Sequence, residues 1–181
     1  MSRIVVPARE AAPAAAQSFL DGVEKQLGVV PNLFRLTALS PAALQGMLGL
    51  SGALARTLDV KTRERIALVV AQVNGCDYCL SAHTYLGLNL AKLDSGEIAL
   101  NRKGGSTDPR AGVIVAFAAK VAQSRGKVAD ADLTEVRLAG IPDAQVVEIV
   151  ALVAENFLTN LLNNVAQTPI DFPVVLAAEA A

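Results

Sequence analysis

A chain of 181 residues has the length of one domain and can bury a sizeable core. With 16 basic against 17 acidic residues, a net charge of −1 and a pI near 5.8, it carries no electrostatic footprint for nucleic acid or for an anionic membrane surface. Hydrophobic residues make up 52% and mean hydropathy is +0.41, so apolar surface beyond one monomer's core is expected to lie at subunit interfaces.

Residues 1–30 read as an N-terminal arm with a first helix, and no sustained apolar stretch there suggests a signal peptide. The expected compartment is the cytoplasm, where two cysteines are reactive or metal-bound more often than a structural staple. Helix punctuation then recurs along residues 31–165, the expected core. Ser40-Pro41 is a cap followed by proline at the first helical position, opening "PAALQGMLGLSGALARTL". Asp59 caps "VKTRERIALVVAQVN", and Asn74-Gly75 is a turn and helix stop before a new helix near Cys76. Asp108-Pro109 repeats the cap-proline device before "RAGVIVAFAAKVAQS", and Asp130 and Gly140 bracket "ADLTEVRLA".

From Pro142 to about Asn164, apolar positions form a stripe too wide for one solvent-facing helix, which predicts a helix buried between neighbours or subunits. Residues 166–181 form a tail in which Pro169 and Pro173 forbid helix, so "TPIDFPVV" is expected to be extended. No apolar run approaches bilayer length, and no strand alternation persists. The fold class is all-α, of roughly seven to nine helices.

Both cysteines and the single histidine fall within "NGCDYCLSAH", residues 74–83. Cys76, Cys79, Leu80 and His83 recur at three- and four-residue steps, so the sulfurs and the imidazole share one helix face. Helix positions three apart lie roughly 5–5.5 Å apart at Cα, within reach of a disulfide. The helix start favours a thiolate at Cys76, and Cys79 needs another source of activation, which His83 one turn on can supply by taking its proton. Asp77 opposes a thiolate weakly and is expected to point off that face. If the two helices form a hairpin through Asn74-Gly75, Glu64 lies about 15 Å from the turn and His83 about 12 Å, side by side. Arg63 and Arg65 are expected to face outward or to pair with carboxylates.

The pattern of Glu64, Cys76-Asp-Tyr-Cys79 and His83 resembles the alkylhydroperoxidase D type of the carboxymuconolactone decarboxylase-like superfamily, in its peroxidase-related branch. "GVVPNLFRLTALSPAAL" and "FLTNLLNNVAQTPIDFPVV" agree with that branch, and the resemblance runs from about Gly28 to Val175. It implies an all-α, AhpD-like domain with the Cys-x-x-Cys pair at a helix start, assembled as a trimer or hexamer. It implies thiol-dependent reduction of hydroperoxides, with Cys79 as the attacking thiol and Cys76 as its disulfide partner. His83 and Glu64 would relay protons, and an external dithiol or thiol would restore the pair. No cofactor or metal is implied. One departure stands out: the family pattern has histidine where this chain has Tyr78. A phenol does not titrate near neutrality, so the relay is expected to be shorter, with Tyr78 available to donate to a peroxide oxygen.

Rival readings use the same residues. Cys76, Cys79 and His83 with Glu64 would make four zinc ligands, or the thiols would be inert core residues. A redox-sensing oligomer would close the disulfide without turnover. A decarboxylase fits less well, because that branch of the superfamily does not rest on a Cys-x-x-Cys pair. Leu80 after the second cysteine rules out a c-type haem motif. Asn160, Asn163 and Asn164 read as interhelical hydrogen bonders or solvent-facing residues.

Overall fold

The computed structural model describes residues 2–180, with side-chain environments for 2–178. Nine α-helices form among the described residues: α1 Ala14–Leu27, α2 Asn32–Thr37, α3 Pro41–Leu54, α4 Val60–Val73, α5 Asp77–Asn89, α6 Ser95–Arg102, α7 Pro109–Ser124, α8 Asp130–Leu138 and α9 Asp143–Ala166. Short 3-10 turns lie at Arg9–Ala11 and Ala177–Ala180, and the described residues form no strand. Ala166 still belongs to α9, residues 168–176 form neither helix nor strand and bend at Phe172-Pro173, and residue 181 of the expected tail lies outside the described residues.

The caps work as their chemistry requires. Asp59 accepts the Thr62 amide at 3.0 Å and Asp108 that of Ala111 at 2.8 Å, while Ser40 accepts from Ala43 at 3.3 Å. Asp94 does the same for α6, a helix too short to show a clear apolar period in the sequence. Asp130 is not the cap of α8. Ala129 holds that position, and Asp132 reaches back to accept its amide at 2.9 Å.

Helix α4 is the axis of the molecule. Ile66 through Ala71 are all buried, because α5, α6, α7 and α9 surround it. Its principal core partners are Ile114, Val115 and Phe117 of α7 and Ile149, Leu152 and Val153 of α9. A second cluster joins Leu20 of α1 to Leu44 and Met47 of α3. By length and composition α9 would reach across a bilayer, contrary to the expectation that no segment approaches that length. Its core face nevertheless carries the buried Asn156, Asn160 and Asn163, and it packs against α3, α4, α5 and α7. The wide stripe is two faces: one buried on α4, and an opposite one with Val147, Val150, Leu158, Leu161 and Val165 exposed.

The turn between α4 and α5 is a Schellman reversal. Gly75 adopts φ +59°, Cys76 N–H donates to Ala71 C=O at 3.0 Å and Gly75 N–H to Gln72 C=O at 3.2 Å. Cys76 thus closes one helix and, as N-cap, opens the next.

After α9 the chain crosses back over α5. Ile170, Phe172 and Val175 pack on the cluster of Cys76, Tyr78, Cys79 and Leu80. Val175 N–H donates to Ser81 Oγ at 2.9 Å, Ala177 N–H donates to Asp77 Oδ1 at 2.8 Å, and Arg102 donates to Leu176 C=O at 2.9 Å. Asp77 therefore points away from the sulfurs and anchors the tail. Tyr78, only 4% exposed, accepts the Leu33 amide at 3.0 Å and meets Phe172 edge-on at 5.9 Å. Burial pushes its phenol well above the usual value, and the Leu33 bond opposes this without offsetting it. These contacts make Tyr78 a tie from α2 and the tail to α5.

Glu97 organises the opposite end of α4. Its buried carboxylate accepts from Arg65 Nε at 2.8 Å, Asn101 at 3.0 Å, Ser106 Oγ at 2.5 Å and both the amide and hydroxyl of Thr107 at 2.8 and 2.7 Å. Burial alone would raise this carboxyl, but the donors, led by Ser106, outweigh it and bring it down to about 2.

Two outcomes follow. Because Glu97 is depressed when folded, its contribution is complete above the ordinary carboxyl value and is lost as pH falls toward about 2. Urea unfolding should show on the order of 3 kcal/mol lost over that interval. In Glu97→Gln that acid-dependent loss should be largely absent. Tyr78→Phe should cost about 1 kcal/mol of unfolding free energy and leave the alkylation rate of Cys79 in the reduced protein unchanged; a collapse of that rate would return Tyr78 to the chemistry.

Candidate redox site

Cys76 and Cys79 are joined as a disulfide across the first turn of α5, with Cα atoms 5.3 Å apart, as helix geometry anticipates. The backbone sets this up. Cys76 is the N-cap in extended conformation, and its Sγ accepts the Cys79 amide at 3.2 Å. A sulfur thus occupies the place of a capping oxygen, within the positive end of the helix. Both sulfur-bearing residues are buried, at 0% and 3% exposure, beneath the tail and against Ala71 of α4.

His83 lies one turn beyond Cys79 and is partly exposed, while Glu64 of α4 is 8% exposed. His83 Nδ1 meets Glu64 Oε2 at 2.8 Å, so the antiparallel pairing of α4 and α5 delivers the contact inferred from turn distances. With Glu64 as a carboxylate, Nδ1 carries the hydrogen and the lone pair lies on Nε2, free to accept a proton. Arg65 turns away to Glu97, as a carboxylate-paired residue.

Two contributors from α9 come into view only in three dimensions. Asn163, 3% exposed, donates Nδ2–H to Cys79 Sγ at 3.3 Å. It is an interhelical hydrogen bonder, with the sulfur of Cys79 as its partner. Glu155 is half-buried near His83 and Arg63, and burial raises its carboxyl despite the Ser51 hydroxyl and the neighbouring His83 and Arg63. Nothing in the sequence marks Glu155, since an acid on a mostly apolar helix reads as a solvated position. Asn160 and Asn164 bind the Asn74 turn through its side chain at 2.9 Å and its carbonyl at 3.1 Å.

The zinc arrangement does not assemble in this geometry. The sulfurs are bonded to each other, and among the described residues no three His, Cys, Asp or Glu side chains converge as a ligand set. What the arrangement can do is thiol chemistry: two sulfurs poised to open and close a bond, with a carboxylate-oriented imidazole one turn away.

The comparisons agree with this frame. Residues 41–101, from the start of α3 into the last turn of α6, match the model of the carboxymuconolactone decarboxylase family. Among solved structures, a peroxidase-related protein with the alkylhydroperoxidase AhpD core from Ralstonia eutropha is 28% identical, with TM-score 0.81 over 94% of this chain and 92% of its own. A peroxidase-related protein from Silicibacter sp. is 23% identical, with TM-score 0.78 over 92% and 89%. The debrominase Bmp8, in complex with 2,3,4-tribromopyrrole, is 18% identical, with TM-score 0.78 over 94% and 92%. The last two share the fold alone. No curated protein is matched by sequence. Glu64, Cys76, Cys79 and His83 all lie inside the matched segment, and that match together with the AhpD-like helical fold supports assigning the chain to the alkylhydroperoxidase D-like, carboxymuconolactone decarboxylase superfamily.

Proposed function

We propose that this protein is a thiol-dependent peroxidase that reduces hydroperoxides through the Cys76/Cys79 pair. The observation that supports the reading is a Cys-x-x-Cys disulfide at the start of α5 with His83 on the next turn of that helix, held at 2.8 Å by Glu64 of α4. In the proposed cycle His83 Nε2 takes the proton of Cys79, with Glu64 fixing the ring and balancing the imidazolium charge. The Cys79 thiolate attacks the terminal oxygen of the hydroperoxide. The O–O bond breaks, Cys79 becomes a sulfenic acid, and the departing alkoxide takes the proton from His83. Cys76 then attacks the sulfenic sulfur, its S–H proton leaving with the hydroxyl as water, and the disulfide forms. An external dithiol supplies two electrons and two protons, regenerates both thiols and becomes a disulfide itself.

Burial of both sulfurs suits a small peroxide, because the tail over α5 limits what reaches Cys79. We also assign the exposed α9 stripe of Val147, Val150, Leu158, Leu161 and Val165 to a contact between copies of the chain, in a trimer or hexamer.

Peroxide consumption with a dithiol donor should vanish in Cys79→Ser and fall roughly 10²–10⁴-fold in His83→Ala. In Cys76→Ser a sulfenic-acid probe should label Cys79 after peroxide addition. Normal turnover without Cys79 removes the assignment, and a disulfide that closes with no turnover would make the protein a redox sensor instead. Light scattering should give the mass of a trimer or hexamer, and Leu158→Glu combined with Leu161→Glu should reduce it to a monomer; a wild-type monomer would overturn the interface.

A further inference from the structure

The core face of α9 is interrupted by three buried asparagines. Asn156 binds the Leu152 carbonyl of its own helix at 2.9 Å. Asn160, at 0% exposure, accepts from Asn74 Nδ2, and this contact with that of Asn164 pins the α4–α5 turn to α9. One turn beyond Asn160, Asn163 reaches Cys79 Sγ with Nδ2 at 3.3 Å. Its Oδ1 is buried and has no hydrogen-bond partner among the described residues. An unmet buried acceptor destabilises a fold, and an apolar side chain of the same size would avoid that cost. Packing therefore gives no reason for asparagine at this position, whereas the sulfur does.

We infer that Asn163 is a further catalytic group of the site, an amide donor that holds Cys79 as the thiolate. The role in turnover rests on the peroxidase reading above; the action on the thiol does not. A hydrogen bond to sulfur strengthens as the sulfur becomes negative. Helix α5 offers its own dipole chiefly to Cys76 at the cap, and the effect fades within the first turn. Asn163 gives Cys79 the stabilisation that its position in the helix withholds. It also orders the reductive half: an external thiolate forms its bond to Cys76 Sγ, the S–S bond breaks, and the electron pair departs on Cys79, where the amide receives it.

The ionisable groups on the elements packed around Cys79 are Arg35 on α2, Lys61, Arg63, Glu64 and Arg65 on α4, Asp77, Tyr78, His83 and Tyr85 on α5, Asp143, Glu148 and Glu155 on α9 and Asp171 in the tail; of these Arg65 is turned to Glu97 and Arg63 lies near Glu155. Arg35 contacts Asn32, Asp77 accepts from Ala177, Tyr78 from Leu33 and Asp171 from Asn32, while Glu64 meets His83. Glu155 lies within the electrostatic reach of His83. His83 and Asn163 are thus the two side chains assigned to act on Cys79.

The test reads thiolate, not turnover. In reduced full-length Cys76→Ser protein, the alkylation rate of Cys79 by iodoacetamide is followed against pH with and without Asn163→Leu. About tenfold less thiolate is expected in the leucine variant at any pH below the midpoint, with a melting temperature equal to or above that of its parent. In Cys79→Ser protein, the same substitution should leave the titration of Cys76 unchanged. An unshifted Cys79, or an equal shift at both cysteines, overturns the inference. Asn163→Ala removes the amide without adding a charge and carries the test should the leucine protein fail to fold: Cys79 titrates higher if the amide holds the thiolate, and an unmoved curve overturns it. Wild-type turnover alongside an unshifted Cys79 would spare the peroxidase reading and remove Asn163. A shifted Cys79 in a protein that consumes no peroxide would do the reverse.

Discussion

The reversal at Asn74-Gly75-Cys76 is the constraint from which the site follows. Gly75 takes a left-handed conformation that a side chain would strain, and the two Schellman bonds fold α5 back along α4. Because Cys76 is at once the end of that motif and the cap of α5, its sulfur lies at the positive end of the helix without a separate device to place it. Cys79 then follows by one turn and His83 by two. The same reversal runs α4 antiparallel beside α5, so a carboxylate eleven residues before the turn arrives opposite an imidazole eight residues after Gly75. One turn geometry thus sets both the sulfur–sulfur and the acid–base contacts.

Three buried or half-buried glutamates show how environment divides one side chain into different roles. Glu97 is surrounded by donors and an arginine, which outweigh burial and keep it a structural anion. Glu155 has a hydroxyl and more distant cations, and there burial wins. Glu64 has the imidazole itself, in direct contact. The contrast between Glu97 and Glu155 is a matter of how many donors point at the carboxylate, since both lose water on folding.

The tail and α9 do for the site what α4 and α5 cannot. Two helices leave one side of a Cys-x-x-Cys turn open. The tail closes part of it with Ile170, Phe172 and Val175, held by hydrogen bonds to Ser81 and Asp77 and from Arg102 rather than by apolar contact alone. Helix α9 closes the rest and brings amides instead of hydrocarbon, so the sulfurs lie in a dry place that still offers a donor. Tyr78 belongs to this enclosure, which accounts for a phenol where the family's pattern has a histidine.

What the sequence determined is what depends on near neighbours along the chain. Caps at Ser40, Asp59 and Asp108, the stop at Asn74-Gly75, the shared face of Cys76, Cys79 and His83, and the pairing of Glu64 with His83 all follow from helix periodicity and turn chemistry, which act over a few residues. Helix α8 begins at Asp130, as its acidic start suggests, while the acceptance of the Ala129 amide by Asp132 is visible only in the structure. The surroundings of Asn163, Glu155 and Tyr78 were decided only by tertiary structure. Each depends on a partner between 45 and 94 residues away: Cys79 and His83 for the first two, Leu33 and Phe172 for Tyr78. An amide, an acid or a phenol on a helix reads the same in sequence whether it faces solvent or a sulfur. Which of these it meets is decided by how α9, α2 and the tail close over the α4–α5 hairpin.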